Sequence, residues 1–349
     1  MNRQSGLFDE EMRLRKLSEL GDSLEKLGCI DWEMFRPIIR SAFDKKGKSN
    51  AGRPPFDYVM MFKILVLQRF YNISDDQTEY MINDRMSFQR FLGLTLADKV
   101  PDAKTIWAFK EALAQKNKMR NLFKKFNAEL ERSGIIAHET TLIDATFVDA
   151  PRQRNSRSEN KDIKEGITPG AWLPSGNDTE AELLKKKHRL SRKDLSARWM
   201  TKNRERHYGY KDHVKADGKT KLITAYEVSS ASVHDSQVFA ELLDWKDRLV
   251  YADSGYSGKE PEGKVPKRID LNVCKKGARY VRLTEADRLM NHLISRIRCR
   301  IEHVFGYMTN SMNGLTLRCV GKKRAEANIG LTNLVYNMFR YSVLLKKSA

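Results

Sequence analysis

Apolar positions in the first third of the chain recur at helical spacing. Between Asp9 and Leu27 they fall at Met12, Leu17, Leu20, Leu24 and Leu27, which predicts an amphipathic helix. Phe56 to Phe70 is apolar almost throughout, interrupted by Lys63, and predicts a second, more buried one. Ser74 and Gln77 have the spacing of a capping box and open a helix through about Phe91. Pro101-Asp102 announces another, Thr105 to about Leu130. The segment KKGKSNAGRPP, Lys45 to Pro55, is a basic linker or arm punctuated by Gly and Pro. After Gly134 the pattern changes. Thr140 to Val148 is a compact β-branched run and predicts a strand. Gln153 to Asp194 is polar, holds Lys185-Lys186-Lys187, and reads as a long insertion. Tyr208–Val214 and Lys221–Ser229 predict a hairpin around Asp217-Gly218. A helix over Val233–Trp245, a strand over Leu249–Asp253 and a long helix over Arg288–Met308 follow. The expected organisation is an all-α N-terminal domain, residues 1–134, before an α/β domain, residues 135–349. The second has a mixed sheet, flanking helices and an insertion at about 153–194. No internal repeat is evident.

Charge adds a partner to this outline. In 349 residues, 64 Lys and Arg against 45 Asp and Glu leave a formal charge of +19, an excess that favours a polyanionic partner. An anionic membrane is disfavoured, because the most apolar stretch, Val59–Leu67, is broken by Lys63 and falls short of the ~20 residues a span needs. Residues 1–134 carry 24 basic and 19 acidic side chains, or +5; the remainder carries 40 and 26, or +14. From Arg288 onward there are 11 basic residues and only two acids, Glu302 and Glu326. Cys29, Cys274, Cys299 and Cys319 stand alone, in no CxxC or zinc spacing, which excludes a disulfide scaffold or zinc finger. No signal peptide shows in Met1–Glu11, so the expected location is the cytoplasm. No GxxxxGK[ST] loop occurs, which disfavours an ATP-driven mechanism.

Two acids end apolar strands: Asp144 after Thr140–Ile143 and Asp253 after Leu249–Ala252. Sheet ends are where α/β folds place active sites, although an isolated Asp there commonly does no more than cap a turn. A third acid changes that balance. The helix around Arg288–Met308 has an apolar stripe of Met290, Leu293, Ile297, Ile301, Val304 and Met308. Glu302 sits at its edge, with Arg296, Arg298 and Arg300 around it. An exposed Arg298–Glu302 pair accounts for one contact and leaves the dearth of other acids unexplained. If the helix packs on the sheet, Asp144, Asp253 and Glu302 can converge. Three carboxylates suit two hard divalent ions, Mg²⁺ or Mn²⁺, and such a pair drives phosphodiester chemistry. The surrounding cations would hold a phosphate backbone.

Several segments, in order, carry a resemblance. They are the TLIDATFVDAP block ending at Pro151, HYGYKDHV (His207–Val214), ASVHDS (Ala231–Ser236), YADSGYSG (Tyr251–Gly258) and RIRCRIEHVFGYM (Arg296–Met308). Together with Gly52–Glu79 and Val100–Lys110, they resemble the DDE-type bacterial insertion-sequence transposases, nearest the insertion-sequence-five family. The likeness spans roughly Gly52 to Tyr341. It implies a ribonuclease H-like core in which Asp144, Asp253 and Glu302 are the catalytic, metal-binding acids. The implied activity is cleavage of transposon ends and joining of the freed 3′-hydroxyl to target DNA. The implied partners are terminal inverted repeats, target DNA and further copies of the chain, as a dimer or higher oligomer on DNA near the nucleoid. Arg298 matches the family arginine one turn before the glutamate and is expected to contact DNA near the scissile phosphate. Related transposases often place Tyr three residues before that arginine and Lys seven after the glutamate; here Ser295 and Thr309 stand there.

Other candidates carry less. Lys104, Trp107 and Lys110 fall on one predicted helix of a helix-turn-helix-like module, for which a plain packing or dimerisation role is an equal alternative. Lys211 is a further candidate DNA contact. His207, His213 and His234 have no metal spacing, and Trp107, Trp172 and Trp199 can stack on bases or be buried. Two other functions share these features: a metal-dependent nuclease without strand transfer, and a domesticated sequence-specific DNA-binding protein.

Overall fold

The computed structural model describes residues 8–43, 54–202, 204–256, 263, 265–277 and 282–348, and the chain divides into two compact units. The Lys45–Arg53 arm and Ser257-Gly258 of the YADSGYSG block lie outside the described residues.

The first unit, residues 1–129 with 311–313 and 331–349, is helical. Its helices are α1 (Asp9–Glu19), α2 (Arg36–Arg40), α3 (Tyr58–Tyr71), α4 (Asp75–Asp84), α5 (Met86–Leu92), α6 (Ala103–Gln115) and α7 (Lys118–Arg132), the last running past the unit's boundary. The predicted first helix ends early, and Ser23–Cys29 forms a separate 3-10 turn. Ten of the fourteen residues of α3 are buried, as its all-round apolarity predicts. Lys63 is accommodated because its ammonium lies over the rings of Trp32 and Phe91, at 5.4 and 5.5 Å, and donates to the Phe91 carbonyl. The Ser74–Gln77 capping box is formed. The helix it opens stops at Asp84, because Arg85 adopts an extended backbone and starts α5 afresh. Likewise the run predicted from Thr105 to Leu130 divides at Asn117, whose φ of 51° is a left-handed conformation that Asn tolerates well. The second half of the last helix completes this core, with Phe339 stacked on Phe70 at 4.0 Å and Asn337 bonded to Asn127 at 2.9 Å.

The second unit, residues 130–310 and 314–330, is built on a mixed sheet. Its strands are β1 (Thr141–Asp149), β2 (Arg198–Lys202), β3 (Glu205–Asp217), β4 (Ile223–Ser230), β5 (Leu249–Ala252) and β6 (Asp270–Val273). The order is β2-β3-β1-β5-β6, with β4 also pairing β3. β1 runs antiparallel to β3 and parallel to β5, and β5 runs parallel to β6. Its helices are α8 (Arg157–Lys164) and α9 (Glu180–Ser191) in the insertion, then α10 (Asp235–Leu242), α11 (Glu285–Asn310) and the start of α12 (Lys322–Ser348). This is a ribonuclease H-like arrangement, a mixed sheet with flanking helices after a helical region. Ile143, Val250 and Ala252 pack with Phe239 and Leu242 of α10 and with Tyr256, while α11 packs on β1, β5 and β6. The apolar stripe of α11 is buried only in part. Ile301, Val304 and Met308 are covered and Ile297 is half-buried, whereas Met290 and Leu293 near its start are exposed and Ile294, outside the stripe, is buried. The segment read as an insertion is itself folded. Ser156–Glu159 and Thr179–Glu182 form capping boxes, and Trp172 is fully buried, donating to Glu159 at 2.7 Å.

Asp194, 2% exposed, ties the base of that insertion to the sheet. Its carboxylate accepts from the Tyr210 hydroxyl at 2.8 Å and from the backbone N–H groups of Ser196, Ala197 and Gly321, each at 2.9 Å. One residue before Tyr210, β3 changes its neighbour from β2 to β4. Gly209 makes this passage with φ of +151°, and a Cβ there would stand 2.3 Å from the Val148 carbonyl oxygen and 2.7 Å from the Ala150 nitrogen. Gly209→Ala is therefore expected to destabilise the protein by roughly 3 kcal/mol or more, through backbone strain and overpacking together. Thermal or denaturant unfolding measures this, and a wild-type midpoint would contradict the close approach.

Candidate active site

Side chains alternate faces along a strand. Ile143 enters the core shared with α10, and its neighbour Asp144 meets α11 instead. Asp253 follows immediately after β5, the parallel neighbour of β1. Each carboxylate accepts the N–H of the residue after it: Ala145 to Asp144 at 2.8 Å and Ser254 to Asp253 at 2.7 Å. Arg298, from the middle of α11, joins them. Its guanidinium lies 2.8 Å from Asp144 and 3.7 Å from Asp253, with the arginine side chain only 11% exposed. Burial pushes the Asp144 carboxyl above its ordinary value, against the opposing pull of Arg298 and of the Ala145 N–H; the nearby Asp253 raises it further. The Tyr256 hydroxyl is held well above its ordinary value by burial and then by the charges of Asp235 and Asp144.

Glu302 lies one turn beyond Arg298 on α11 and is exposed. Among the described residues no group of three or more His, Cys, Asp or Glu side chains could hold a metal ion, so the expected convergence of Asp144, Asp253 and Glu302 is not assembled in this arrangement. Arg298 instead supplies the counter-charge to Asp144 and Asp253. By donor chemistry the pair still fits a hard divalent cation. It offers carboxylate oxygens from two neighbouring parallel strands, one of them desolvated and favoured by any added positive charge. Asp144 lies inside β1, just past its pairing with β5, rather than at a strand end as expected, and Asp253 follows the end of β5.

The other expected contacts separate sharply. Lys211 is 6% exposed, with its ammonium 2.8 Å from both Asp235 and the Val233 carbonyl, which corrects its reading as a DNA contact. Lys110 is part-buried and paired with Asp75 at 2.6 Å. Lys104 is exposed, with Trp107 three residues on, also exposed. Trp172 is buried, and Trp199 is 45% exposed on β2. Sequence reasoning missed the buried cluster of Lys211, His213 and Asp235 beside the site. The ASVHDS block, which carries Asp235, contained its signal.

The sheet, the two acids on its neighbouring parallel strands and the cation-bearing helix are the arrangement of a phosphoryl-transfer core. Residues 136–338 match the family described as Transposase DDE domain, and residues 11–112 match the one described as Transposase domain (DUF772). No solved structure matches the chain. The chain belongs to the insertion-sequence DDE transposases, enzymes that cut DNA and transfer the cut strand in a reaction that generally depends on divalent metal. DNA is accordingly its substrate. Among the described residues no helix is long and apolar enough to cross a membrane.

His213, fully buried behind the site, bonds to the Ser229 hydroxyl at 2.7 Å, and burial pushes its imidazole down from 6.5 to about 4. The folded protein thus keeps this ring neutral where the unfolded chain protonates it, so stability is lost as pH falls from about 6.5 towards 4. His213→Gln is expected to flatten that part of the profile in denaturant unfolding at stepped pH. Parallel wild-type and variant profiles would show that His213 does not carry the effect.

Proposed function

We propose that Asp144, Asp253 and Glu302 are the catalytic carboxylates of this transposase and together hold two divalent ions, Mg²⁺ or Mn²⁺. The observation that carries the reading is the bridging by Arg298 of Asp144, inside β1 just past its pairing with β5, and Asp253, immediately after β5. Bound ions at such a site activate the attacking oxygen and stabilise the departing one. Asp144, the more desolvated carboxylate, would be shared by both ions, with Asp253 and Glu302 each serving one. Arg298, released from its carboxylates when the ions are bound, would turn its planar N–H donors to a phosphate oxygen near the scissile bond. Water attacks first and frees a 3′-hydroxyl, and the same residues then position that hydroxyl against target DNA, so no covalent protein intermediate is needed.

The helical unit reads the transposon end in this proposal, with Lys104 and Trp107 on one exposed stretch of α6 as its contacts. The ordered motif blocks favour the insertion-sequence-five group, a dimer or higher oligomer on two ends, and a cytoplasmic, nucleoid-associated protein.

Asp144→Asn is expected to abolish both end cleavage and strand transfer while sparing binding to end DNA, measured with labelled end duplexes and a target plasmid. Residual wild-type cleavage would remove Asp144 from the role. The pair Lys104→Gln and Trp107→Ala is expected to weaken binding to end duplex more than to scrambled duplex. Equal weakening of both would assign α6 to general backbone contact instead.

A further inference from the structure

The insertion between β1 and β2 carries a feature that the carboxylate site does not use. Lys185, His188, Arg189, Arg192 and Lys193 line an open depression of about 540 Å³. Positions 185, 188, 189 and 192 recur at the spacing of one helical face, so the cations form a stripe along α9 and its C-terminal end. Their surroundings divide them into two sets. Arg189 pairs with Glu159 at 2.6 Å, and its guanidinium stands 5.6 Å from the Trp172 ring centre. Lys193 lies 4.8 Å from the same ring and bonds to Asn155 and to the Arg154 carbonyl. Lys186, on the neighbouring face, is taken by Asp178 at 2.8 Å. These form a floor over a fully buried tryptophan. Lys185, His188 and Arg192 are exposed above it.

A helix C-terminus attracts a cation or two, since its dipole end carries only about half a negative charge. The stripe exceeds that need. From Lys185 to Arg192 it spans seven residues, or about 10 Å at 1.5 Å per residue, equal to roughly three steps of 3.4 Å along one strand of duplex DNA. Its base is fixed: Gln153 donates to the Arg192 carbonyl at 3.0 Å, and the neighbouring Asp194 anchors to Tyr210. It follows β1 in the chain beyond Asp149, and Asp149 is five residues, or about 17 Å, along the strand from Asp144.

We propose that this stripe is a second DNA-backbone site, in which Lys185, His188 and Arg192 hold successive phosphates of duplex away from the scissile bond. The inference rests on DNA being the substrate, not on the assignment of the three carboxylates. Backbone contacts carry no sequence information, so the site contributes affinity and grip rather than selectivity.

The test is fluorescence-anisotropy titration of the full chain in EDTA over a range of salt, with end duplex and scrambled duplex. EDTA prevents cleavage, so failure of the carboxylate reading leaves these titrations unaffected. The triple variant Lys185→Gln, His188→Gln, Arg192→Gln should bind both duplexes at least tenfold more weakly near 0.1 M salt. Its plot of log affinity against log salt should be shallower by about 2, close to 0.9 for each of the two formal charges removed, those of Lys185 and Arg192. Lys124→Gln with Lys125→Gln, exposed lysines of the helical unit, removes the same formal charge elsewhere and should shift binding less. Wild-type affinity and slope in the triple variant, or an equal shift in the two variants, would overturn the proposal. Unchanged thermal midpoints show that the comparison is between folded proteins, and Arg192→Gln alone, expected to lower the slope by about 1, repeats the test with a smaller change.

Discussion

The catalytic unit depends on one strand being held from both sides. β1 is paired along its whole length with β3 and, at its start, with β5. That double pairing fixes its register, and a slip of one residue would exchange Ile143 and Asp144 between an apolar core and a polar site. Much else takes its place from this constraint. The parallel neighbour brings Asp253 beside Asp144, the antiparallel neighbour carries His213 and Lys211 behind them, and α11 lies across β1, β5 and β6. Gly209 is part of the same arrangement, since only a residue without Cβ lets β3 pass so near the end of β1.

Placing carboxylates on and around the strands creates a charge problem, and the chain answers it with its own cations. Asp144 has Arg298, Asp235 has Lys211, and the fully buried Asp247 has Lys215 at 3.0 Å. These pairs are not equivalent. Lys215 and Lys211 are nearly inaccessible, and removing Lys215 would strand the fully buried Asp247. Asp253, at 46% exposed, keeps contact with solvent, so the Arg298 bridge has one end open to competition from other cations. The carboxylate pair is therefore stable while it awaits its substrate and still able to exchange partners.

Much of this was legible from residue patterns, for local reasons. The capping box at Ser74, the apolar run of α3, the strand holding Asp144 and the hairpin around Asp217-Gly218 are all specified within a few residues of themselves. The elements missed leave little trace in the hydrophobic pattern. β2 is short and largely exposed and exists because it pairs with the start of β3. The breaks at Arg85 and Asn117 involve no Gly or Pro and come from single backbone angles. At the site, the apolar runs pointed to Asp144 and Asp253, of which Asp253 follows the end of its strand and Asp144 lies within β1. The stripe argument for Glu302 gave a position on the helix but no information on which way its carboxylate would face. Lys211 looked like a surface lysine because its acid, Asp235, stands 24 residues later.

The composition of the helical unit bears on how the protein is made. Its core includes Phe339 on Phe70 and Asn337 on Asn127, the latter pair 210 residues apart in the chain. All six strands of the sheet, by contrast, have been synthesised by Val273. The two units are thus completed in the reverse of their order in the sequence. A growing chain assembles its sheet while the helices made first still lack their final partner. Bringing that partner in closes a loop through the whole catalytic unit, a closure whose entropic cost grows only slowly with the length of the loop.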